Sequence, residues 1–376
     1  MASRPDISVV VTTYQRPGHL LRCLHSLARQ EGVAGRMEVL VVDDGSQDET
    51  PAVVAEFAAA APFYVGFHTH PHDGYCVSKA RNAGIRMARA DYVLFTDGDC
   101  VFPRGHVARH LKVARPGVVR AGDTVRLDEA TSAAIGLDEV DSGQFVDMAR
   151  DAADWRRIGK HRRRAPWYDL LRHPTRPKLV GCDFAAWRWQ LEAVNGFDEG
   201  FSNWGCEDDD LGMRLRRAGA RVKSMLRHSV GYHIWHQPHH STPERWQAGS
   251  NVDYHVRPVK LTRCLAGAIR RDIADVAMTV TPGSAGQTLV ATALAGLLPA
   301  GDVPEVELLL GPRGRFQHSQ ACRLLIANPE DRVPRSLARQ ADAVLRCDAG
   351  DCEAILAELD AALNPAPVDE TGRLAA

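Results

Sequence analysis

Apolar segments alternate with amphipathic ones along the first hundred residues, and this alternation limits the folds open to the chain. The apolar runs Ile7–Thr12, Glu38–Val42 and Tyr92–Thr96 predict strands that are buried on both faces. Such strands, when helices separate them, form a parallel sheet with helices on both sides. We therefore predict an α/β protein. Helices are predicted at His19–Gln30, Thr50–Ala61 and Ser78–Ala88, and a weaker strand at Phe63–His68.

The composition is that of an ordinary folded protein and excludes several classes. Apolar residues make up 45% of the 376 residues and charged residues 25%, which excludes wholesale disorder. The 46 Lys and Arg residues against 47 Asp and Glu give a net charge of −1, which disfavours a nucleic-acid binder. The nine cysteines include no C-x-x-C pair, and no apolar run suits a membrane span or a signal peptide. We expect a reduced, cytoplasmic protein.

Two of the predicted strands end in paired carboxylates. Asp43 and Asp44 begin the segment DDGS after the second strand, and Asp97 and Asp99 form the segment DGD after the fourth. The carboxyl ends of parallel strands meet at one edge of the sheet, where ligands bind. Carboxylates at this edge can hold a divalent cation or accept hydrogen bonds from a nucleotide. Each motif by itself is more typical of a simple turn.

A third acidic group lies at the predicted start of a helix. Glu207 and Asp208 open the run EDDDLGMRLRRAG, in which acids come first and bases last. Such acids usually cap the helix, and one of them can instead act as a general base. Trp204, just before them, can stack on a sugar ring or pack in the core. Five histidines follow, of which one or two are expected to be functional: His228, His233, His236, His239 and His240.

The segment from residue 156 to 178 is strongly basic. It holds nine Lys or Arg residues and a single acid, Asp169, together with Trp167 and Tyr168. A solvated face is the simplest interpretation. An anionic acceptor, phosphates or peripheral contact with a membrane surface are the alternatives.

The order of these motifs resembles family 2 glycosyltransferases of the GT-A fold. In chain order they are TTYQRP, DDGS, SKARNAG, DGD, NGFDEGFSNWGCEDDDLGMRL and the histidines. The later part is similar to bacterial chondroitin-polymerase domains, and its acidic motif is similar to that of β-1,4-galactosyltransferases. The resemblance covers about residues 5–255 and implies a doubly wound, mostly parallel GT-A sheet. We accordingly predict a glycosyltransferase domain at 1–260 and a small C-terminal α/β domain at 261–376.

The resemblance implies that a nucleotide-sugar donor, expected to be a UDP-sugar, is held at the strand ends. In the family, the first strand and its loop cradle the nucleotide, and the acid after the second strand contacts uracil or ribose. The K-x-R-N segment approaches the diphosphate, and the first Asp of D-x-D contacts ribose or metal. The matching residues here are Thr12, Thr13, Tyr14, Arg16, Asp43 or Asp44, Lys79, Arg81, Asn82, Asp97 and Gly98.

The resemblance also implies the catalytic and metal-binding residues. Asp208 matches the catalytic base, and Glu207 and Trp204 match residues that orient or contact the acceptor. Asp99 matches the direct ligand of Mn²⁺ or Mg²⁺, with Asp97 as a second candidate. A histidine beyond the acidic motif often completes that site. The H-Q-x-P segment favours His236, followed by His233 and then His228. The implied reaction is an inverting transfer to a hydroxyl of a saccharide, peptide or natural product.

Two departures from the family pattern concern the expected acceptor pocket. Cys206 replaces the second Gly of W-G-G-E-D, and Asp183 stands where an Asn often occurs in a G-x-N-x-A segment. We expect both to influence which acceptor is used more than which reaction takes place.

Two other functions are compatible with these motifs. A sugar nucleotidyltransferase also uses a doubly wound sheet, a metal and Asp residues, but it needs a Gly-rich basic loop that TTYQRPG matches poorly. A non-catalytic module would bind the donor without turnover on any acceptor.

The C-terminal segment contains none of the carboxylate clusters. Residues 276–310 parallel residues 7–42, either as a decayed internal repeat or as an unrelated strand–helix–strand unit. Dimerisation, acceptor docking and recruitment of a partner are the roles considered for this segment, and a homodimer is one expected assembly.

Overall fold

The first strand lies at the centre of the largest sheet. The computed structural model describes residues 4–238, 242–245 and 248–364. Strand β1 (Ile7–Thr13) pairs in parallel with β2 (Met37–Asp43) on one side and with β4 (Tyr92–Asp97) on the other. All seven residues of β1 are buried, as expected for a strand that is covered on both faces.

The chain forms two compact units, Met1–Pro243 and Glu244–Ala376. The other strands of the first unit are β3 (Tyr64–Thr69), β5 (Cys100–Val101), β6 (Val118–Ala121), β7 (Thr124–Arg126), β8 (Phe184–Trp187), β9 (Arg221–Ser224) and β10 (Gly231–His233). A seven-stranded sheet has the order β3-β2-β1-β4-β8-β6-β9, and a three-stranded sheet has the order β5-β10-β7. In the described part of the larger sheet, β8 alone is antiparallel to its neighbours. The predicted mostly parallel sheet is confirmed.

Helices cover both faces of the larger sheet. The helices of the first unit are α1 (Pro17–Ala28), α2 (Thr50–Ala60), α3 (Val77–Met87), α4 (His106–Val113), α5 (Glu129–Ala134), α6 (Leu137–Ser142), α7 (Phe145–Met148), α8 (Trp155–Leu170), α9 (Arg188–Ala193) and α10 (Glu207–Arg217). Val10 belongs to a core with Ala83 of α3, whereas Val9 and Val11 belong to a second core with Leu24 of α1. No helix in the described part of the chain has the length and apolarity needed to cross a membrane.

Helix α1 begins two residues before the predicted start. The sequence predicts a helix from His19, with Pro17 and Gly18 as a break, but Pro17 is the first helical residue. Proline is tolerated there because the first turn leaves its backbone nitrogens without intrahelical acceptors. The basic segment beginning at Arg156 is mostly the single helix α8, which buries Ile158 and Ala165.

The second unit contains a four-stranded parallel sheet. Its elements are α11 (Val252–Val256), β11 (Met278–Pro282), α12 (Thr288–Leu297), β12 (Val306–Leu310), β13 (Cys322–Ala327), α13 (Arg335–Ala338), β14 (Ala343–Arg346) and α14 (Cys352–Leu363), with 3-10 turns at Ile273–Asp275 and Ala285–Gln287. The strand order is β11-β12-β13-β14, so β11 is an edge strand, whereas β1 is central. The internal repeat therefore stays a prediction.

Gly84 of α3 packs directly against the central strand, and this contact gives a test of the fold. A Cβ atom at Gly84 would lie 2.3 Å from Cγ1 of Val10. Gly84→Ala is expected to lower the stability of the protein by about 1–3 kcal/mol, because the helix must move away from the sheet. Gly18→Ala is the matched control, since nothing lies within 4 Å of that position. Equal melting temperatures of the two variants would contradict this packing.

Candidate active site

The carboxyl ends of β1, β2 and β4 bring predicted site residues together. In the strand register, Thr12 is the partner of Asp97, and Thr13 is the partner of Asp43. The Thr12 hydroxyl donates to Oδ1 of Asp97 at 2.6 Å, and the amide of Gly98 donates to the Thr12 carbonyl at 2.7 Å. These bonds attach the DGD turn to the end of β1.

The two carboxylates of the DDGS turn have different surroundings. Asp43 is fully buried and accepts hydrogen bonds from the Ser46 amide and hydroxyl and from the Thr69 hydroxyl. Asp44 accepts from the Cys76 amide at 2.9 Å, and burial raises its pKa. Oδ1 of Asp44 has no hydrogen-bond partner among the described residues. Of the two candidates for a nucleotide contact, Asp44 is the one with an oxygen that accepts no hydrogen bond from a described residue, and this buried atom lies 3.5 Å from Nε2 of His70.

An aromatic pair lies beside this turn. The rings of Tyr14 and His72 are stacked, with 4.2 Å between their centroids. Gly45 permits this approach, because its φ is +79° and a Cβ atom would lie 2.4 Å from the His72 amide nitrogen. At the start of α1, Nη1 of Arg16 lies 3.8 Å from Oδ2 of Asp99. Tyr14 and Arg16 therefore line the edge where the predicted nucleotide contacts lie.

Asp99 forms a compact cluster with two of the predicted histidines. Nε2 of His236 lies 3.0 Å from Oδ2 of Asp99, and Nε2 of His233 lies 3.5 Å from Oδ1. Strand β10 brings the histidines there, because His233 is the partner of Cys100 in the pairing with β5. Burial opposes the charge of Asp99, but the two imidazoles hold its pKa below the usual range. This mixed nitrogen and oxygen donor set fits a first-row divalent cation.

The remaining histidine candidates are not part of this cluster. His228 lines a surface cavity together with Arg109, Arg120 and Arg227. His239 and His240 lie outside the described residues. Within the described part of the chain, His233 and His236 are the predicted histidines that converge on Asp99.

Arg81 connects two acidic motifs that are far apart in the sequence. Its Nη2 donates to Oδ1 of Asp97 at 3.1 Å, and its Nη1 donates to Oε1 of Glu207 at 3.0 Å. Only 3% of the Arg81 side chain is exposed. Burial opposes its charge, yet Asp97 and Glu207 raise the pKa of the guanidinium. Arg81 and Asp97, both predicted donor contacts, are therefore bound to each other, and Asp97 lies outside the Asp99 cluster.

Glu207 and Asp208 both begin α10 but differ in exposure. Glu207 is buried, and burial together with the neighbouring Asp208 raises its pKa well above the usual value. Asp208 is half-buried, and its Oδ2 accepts a hydrogen bond from the Gly181 amide at 2.7 Å. Trp204, just before the helix, is 40% exposed. Asp208 is the member of the acidic pair that is open to a ligand.

Two predicted residues lie in the interior. Asn82, expected near the diphosphate, is fully buried and both donates to and accepts from the backbone of Phe197. Asp183 is also fully buried, and its Oδ1 lies 3.3 Å from Nε2 of His106 and 3.1 Å from Nε2 of His110. The effect of these two side chains on the site is therefore indirect. Lys79, in contrast, is exposed on α3.

Sequence reasoning missed two residues of this region. Gly181 orients Asp208 through its backbone, a role that leaves no side-chain signal. A Cβ atom at Gly181 would also lie 1.9 Å from the Arg81 guanidinium. Burial raises the pKa of Tyr75, and the charges of Glu207 and Asp97 raise it further, which keeps this phenol protonated. Tyr75 lies in a loop, where no periodicity marks it.

Cys206 has the backbone conformation that the family pattern gives to glycine. Its φ is +75°, in the left-handed region that glycine favours, and the φ of Gly205 is +101°. These two residues turn the chain from Trp204 into α10. Because of this turn, Glu207 and Asp208 take the first positions of the helix.

Two family models match the chain. The model described as glycosyl transferase family 2 matches residues 8–127, which contain β1, β2 and β4 with their polar ends. The model described as the N-terminal domain of galactosyltransferase matches residues 171–239, which contain Asp208, His233 and His236. The predicted resemblance to family 2 glycosyltransferases is confirmed for the first of these segments, and the predicted resemblance to galactosyltransferases is confirmed for the second.

The curated relatives are longer than the matched region. Validoxylamine A glucosyltransferase of Streptomyces hygroscopicus subsp. jinggangensis is 31% identical over 257 residues, which cover 63% of this chain and 57% of the relative. Chondroitin synthase of Escherichia coli is 27% identical over 244 residues, which cover 60% of this chain and 34% of that protein. The chain thus spans about half of the first relative and a third of the second. Among solved structures, S. aureus TarS 1-349 in complex with UDP-GlcNAc is 18% identical, with a TM-score of 0.45, over 67% of this chain and 64% of that one.

The bridge formed by Arg81 is expected to contribute strongly to stability. Arg81→Met removes the guanidinium that pairs with the buried Glu207 and the partly exposed Asp97, so the expected loss is about 3–5 kcal/mol. Adding Glu207→Gln to this variant should recover part of the loss, because one buried charge is removed. Arg150→Met, which breaks an exposed pair with Asp147, is the control and should change little. Calorimetric melting that gives the same shift for Arg81→Met and Arg150→Met would contradict the bridge.

The left-handed backbone of Cys206 leads to a prediction about the stability of the protein. Cys206→Gly should raise stability by about 1 kcal/mol, because a left-handed φ costs an L-residue energy that glycine does not lose. Cys206→Ala keeps that cost and serves as the matched control. Both variants remove the thiol, so a difference between their melting temperatures reports the backbone alone. A lower melting temperature for Cys206→Gly than for Cys206→Ala would show that this residue is not left-handed.

Proposed function

We propose that this chain, whose residues 8–127 belong to glycosyl transferase family 2, transfers a sugar from a nucleotide-sugar donor to a hydroxyl group of an acceptor. The observation that carries the proposal is the Arg81 bridge, because one guanidinium contacts both Asp97 of the DGD motif and Glu207 of the EDDD run. A donor bound at the strand ends is therefore next to Asp208, the proposed base.

The donor is proposed to be a UDP-sugar. Oδ1 of Asp44 accepts no hydrogen bond among the described residues and is proposed to accept one from ribose or uracil, and the Tyr14–His72 pair offers a flat surface beside this turn. Lys79 is exposed near the start of α3, where its charge and the helix N-terminus suit a diphosphate. Arg16 adds a second positive charge near Asp99.

Asp208 is proposed as the general base of a single displacement. The Gly181 amide orients its carboxylate, which takes the proton from the acceptor hydroxyl as that oxygen attacks the anomeric carbon. The bond from the anomeric carbon to the nucleoside diphosphate breaks in the same step, so the configuration at that carbon inverts. Glu207, held by Arg81, fixes the start of α10 beside Asp208. Trp204 is exposed and can stack on an acceptor ring.

Asp99, His233 and His236 are proposed to hold Mn²⁺ or Mg²⁺, and the imidazole ligands favour Mn²⁺. When bound, the ion acts as a Lewis acid toward the diphosphate leaving group. Asp97 is proposed to support this metal site only indirectly, because its Oδ1 already accepts hydrogen bonds from Thr12 and Arg81.

The acceptor is proposed to be a saccharide or a small natural product. One relative is named for glucosyl transfer to validoxylamine A, and another is named for chondroitin synthesis. Both names concern hydroxyl-rich molecules rather than peptides.

Release of nucleoside diphosphate from a panel of UDP- and dTDP-sugars tests the proposed reaction. Slow hydrolysis of one donor is expected with Mn²⁺, less with Mg²⁺ and none with EDTA or in Asp99→Ala. Release of pyrophosphate from a nucleoside triphosphate and a sugar phosphate would instead indicate a nucleotidyltransferase. If no donor is hydrolysed and calorimetry detects no metal-dependent UDP binding, the proposal is wrong.

The role of Asp208 is tested with the donor found in this panel and with candidate acceptors. Asp208→Asn should bind the donor normally and lose about 10² to 10⁴ in transfer rate. Asp209→Asn is the matched control, because Asp209 lies next to Asp208 on α10, pairs with Lys178 outside that helix and should be dispensable. Equal transfer rates for the two variants would remove Asp208 from the mechanism.

A further inference from the structure

Helix α8 presents one continuous outward face that the active site does not use. Seven residues spaced i, i+4, i+7, i+8, i+11, i+14 and i+15 fall on the same side of the helix and its last turn. All seven are exposed: Arg156, Lys160, Arg163, Arg164, Trp167, Leu170 and Leu171. The four cations come first along the chain, and the three apolar side chains follow at the C-terminal end. We call this set the α8 face.

The cations of the α8 face form no ion pair with the described residues, whereas Arg157 and Asp169 of the same helix do. Arg157 pairs with Asp123 and Asp154, and Asp169 pairs with Arg221 and Lys223 of β9. Within the described residues, none of the four cations on the α8 face forms an ion pair. The fold thus uses the charges that point inward and leaves four positive charges together at the surface, although the whole chain has a net charge of −1.

The apolar end of the α8 face is unusually open to solvent. Trp167 is 63% exposed, Leu170 is 71% exposed and Leu171 is 70% exposed. On the opposite side of the helix, Ile158 and Ala165 are buried in the protein. The outward side chains are therefore not needed to hold α8 in place. A cluster of large apolar side chains next to cations is typical of a surface that meets an apolar and anionic partner.

We propose that the α8 face docks onto a bilayer surface that contains anionic lipids. Trp167, Leu170 and Leu171 enter the interfacial region, where an indole ring and aliphatic side chains are both favoured. The four cations then lie beside lipid phosphates. A soluble polyanion would account for the cations and for stacking on Trp167, but not for two exposed leucines. A lipid surface accounts for both ends of the face.

This inference does not depend on the proposed function, because no residue of the α8 face belongs to the candidate active site. Vesicle binding is measured without a donor or an acceptor. Failure of the transferase reaction would therefore leave the docking result unaffected, and the reverse also holds.

Flotation of the full chain with phosphatidylcholine vesicles, with or without phosphatidylglycerol, tests the docking. Binding is expected only with phosphatidylglycerol and should weaken at high salt. Replacing Arg156, Lys160, Arg163 and Arg164 by Gln should lower the partition coefficient by about 10²- to 10³-fold. The matched control replaces four exposed arginines of the second unit by Gln, and it should bind as the parent does: Arg313, Arg315, Arg335 and Arg339.

A second variant separates lipid docking from simple charge attraction. Replacing Trp167, Leu170 and Leu171 by Ser keeps all the cations and should still reduce vesicle binding at least tenfold. Unchanged melting temperatures would show that both variants are folded. The proposal is overturned if phosphatidylglycerol vesicles do not bind, if the control and the α8 variants bind equally, or if only the cation variant matters while heparin competes fully. The last outcome would assign the face to a soluble polyanion.

Discussion

The buried guanidinium of Arg81 is the interaction on which the candidate site depends. It lies between the partly exposed Asp97 at the end of β4 and the buried Glu207 at the start of α10, and it donates a hydrogen bond to each carboxyl group. Without this cation, the buried Glu207 carboxyl and the partly exposed Asp97 would lose their shared partner, which would disfavour the folded state. Helix α3, which carries Arg81, also packs against β1. The charge balance of the site is therefore tied to the core of the sheet.

The site is assembled from two parts of the chain. The first part supplies the strand ends with Asp44, Tyr14 and Asp99, and the second supplies Asp208 and the histidines of β10 and the loop after it. Two contacts join these parts. The pairing of β10 with β5 brings His233 and His236 to Asp99, and Arg81 of the first part donates to Glu207 of the second. The first contact is between backbones, whereas the second requires both side chains.

Much of the fold was predictable because its signals are local. Apolar runs such as Ile7–Thr12 identify central strands, and their carboxyl ends must share one edge in a parallel sheet. The motif order was also enough to predict Asp99, His233 and His236 as neighbours, through a family resemblance. The roles of Asn82 and Asp183 were not predictable, because a polar side chain in a motif can face either a ligand or the interior. Tyr75 and Gly181 carry no pattern at all.

The parallel sheet, the acidic strand ends and the family resemblance could be predicted from the amino-acid sequence, since these depend on short-range periodicity and on residue order. Which polar groups are buried and paired could be read only from the folded structure. The carboxylate of Asp43 accepts hydrogen bonds within its own turn, whereas Oδ1 of Asp44 accepts none among the described residues. Arg81 is enclosed, whereas Lys79 is exposed. The same holds for α8, whose inward charges are paired and whose outward ones are not. Burial and pairing are set by contacts between residues that are distant in sequence, and no local pattern encodes them.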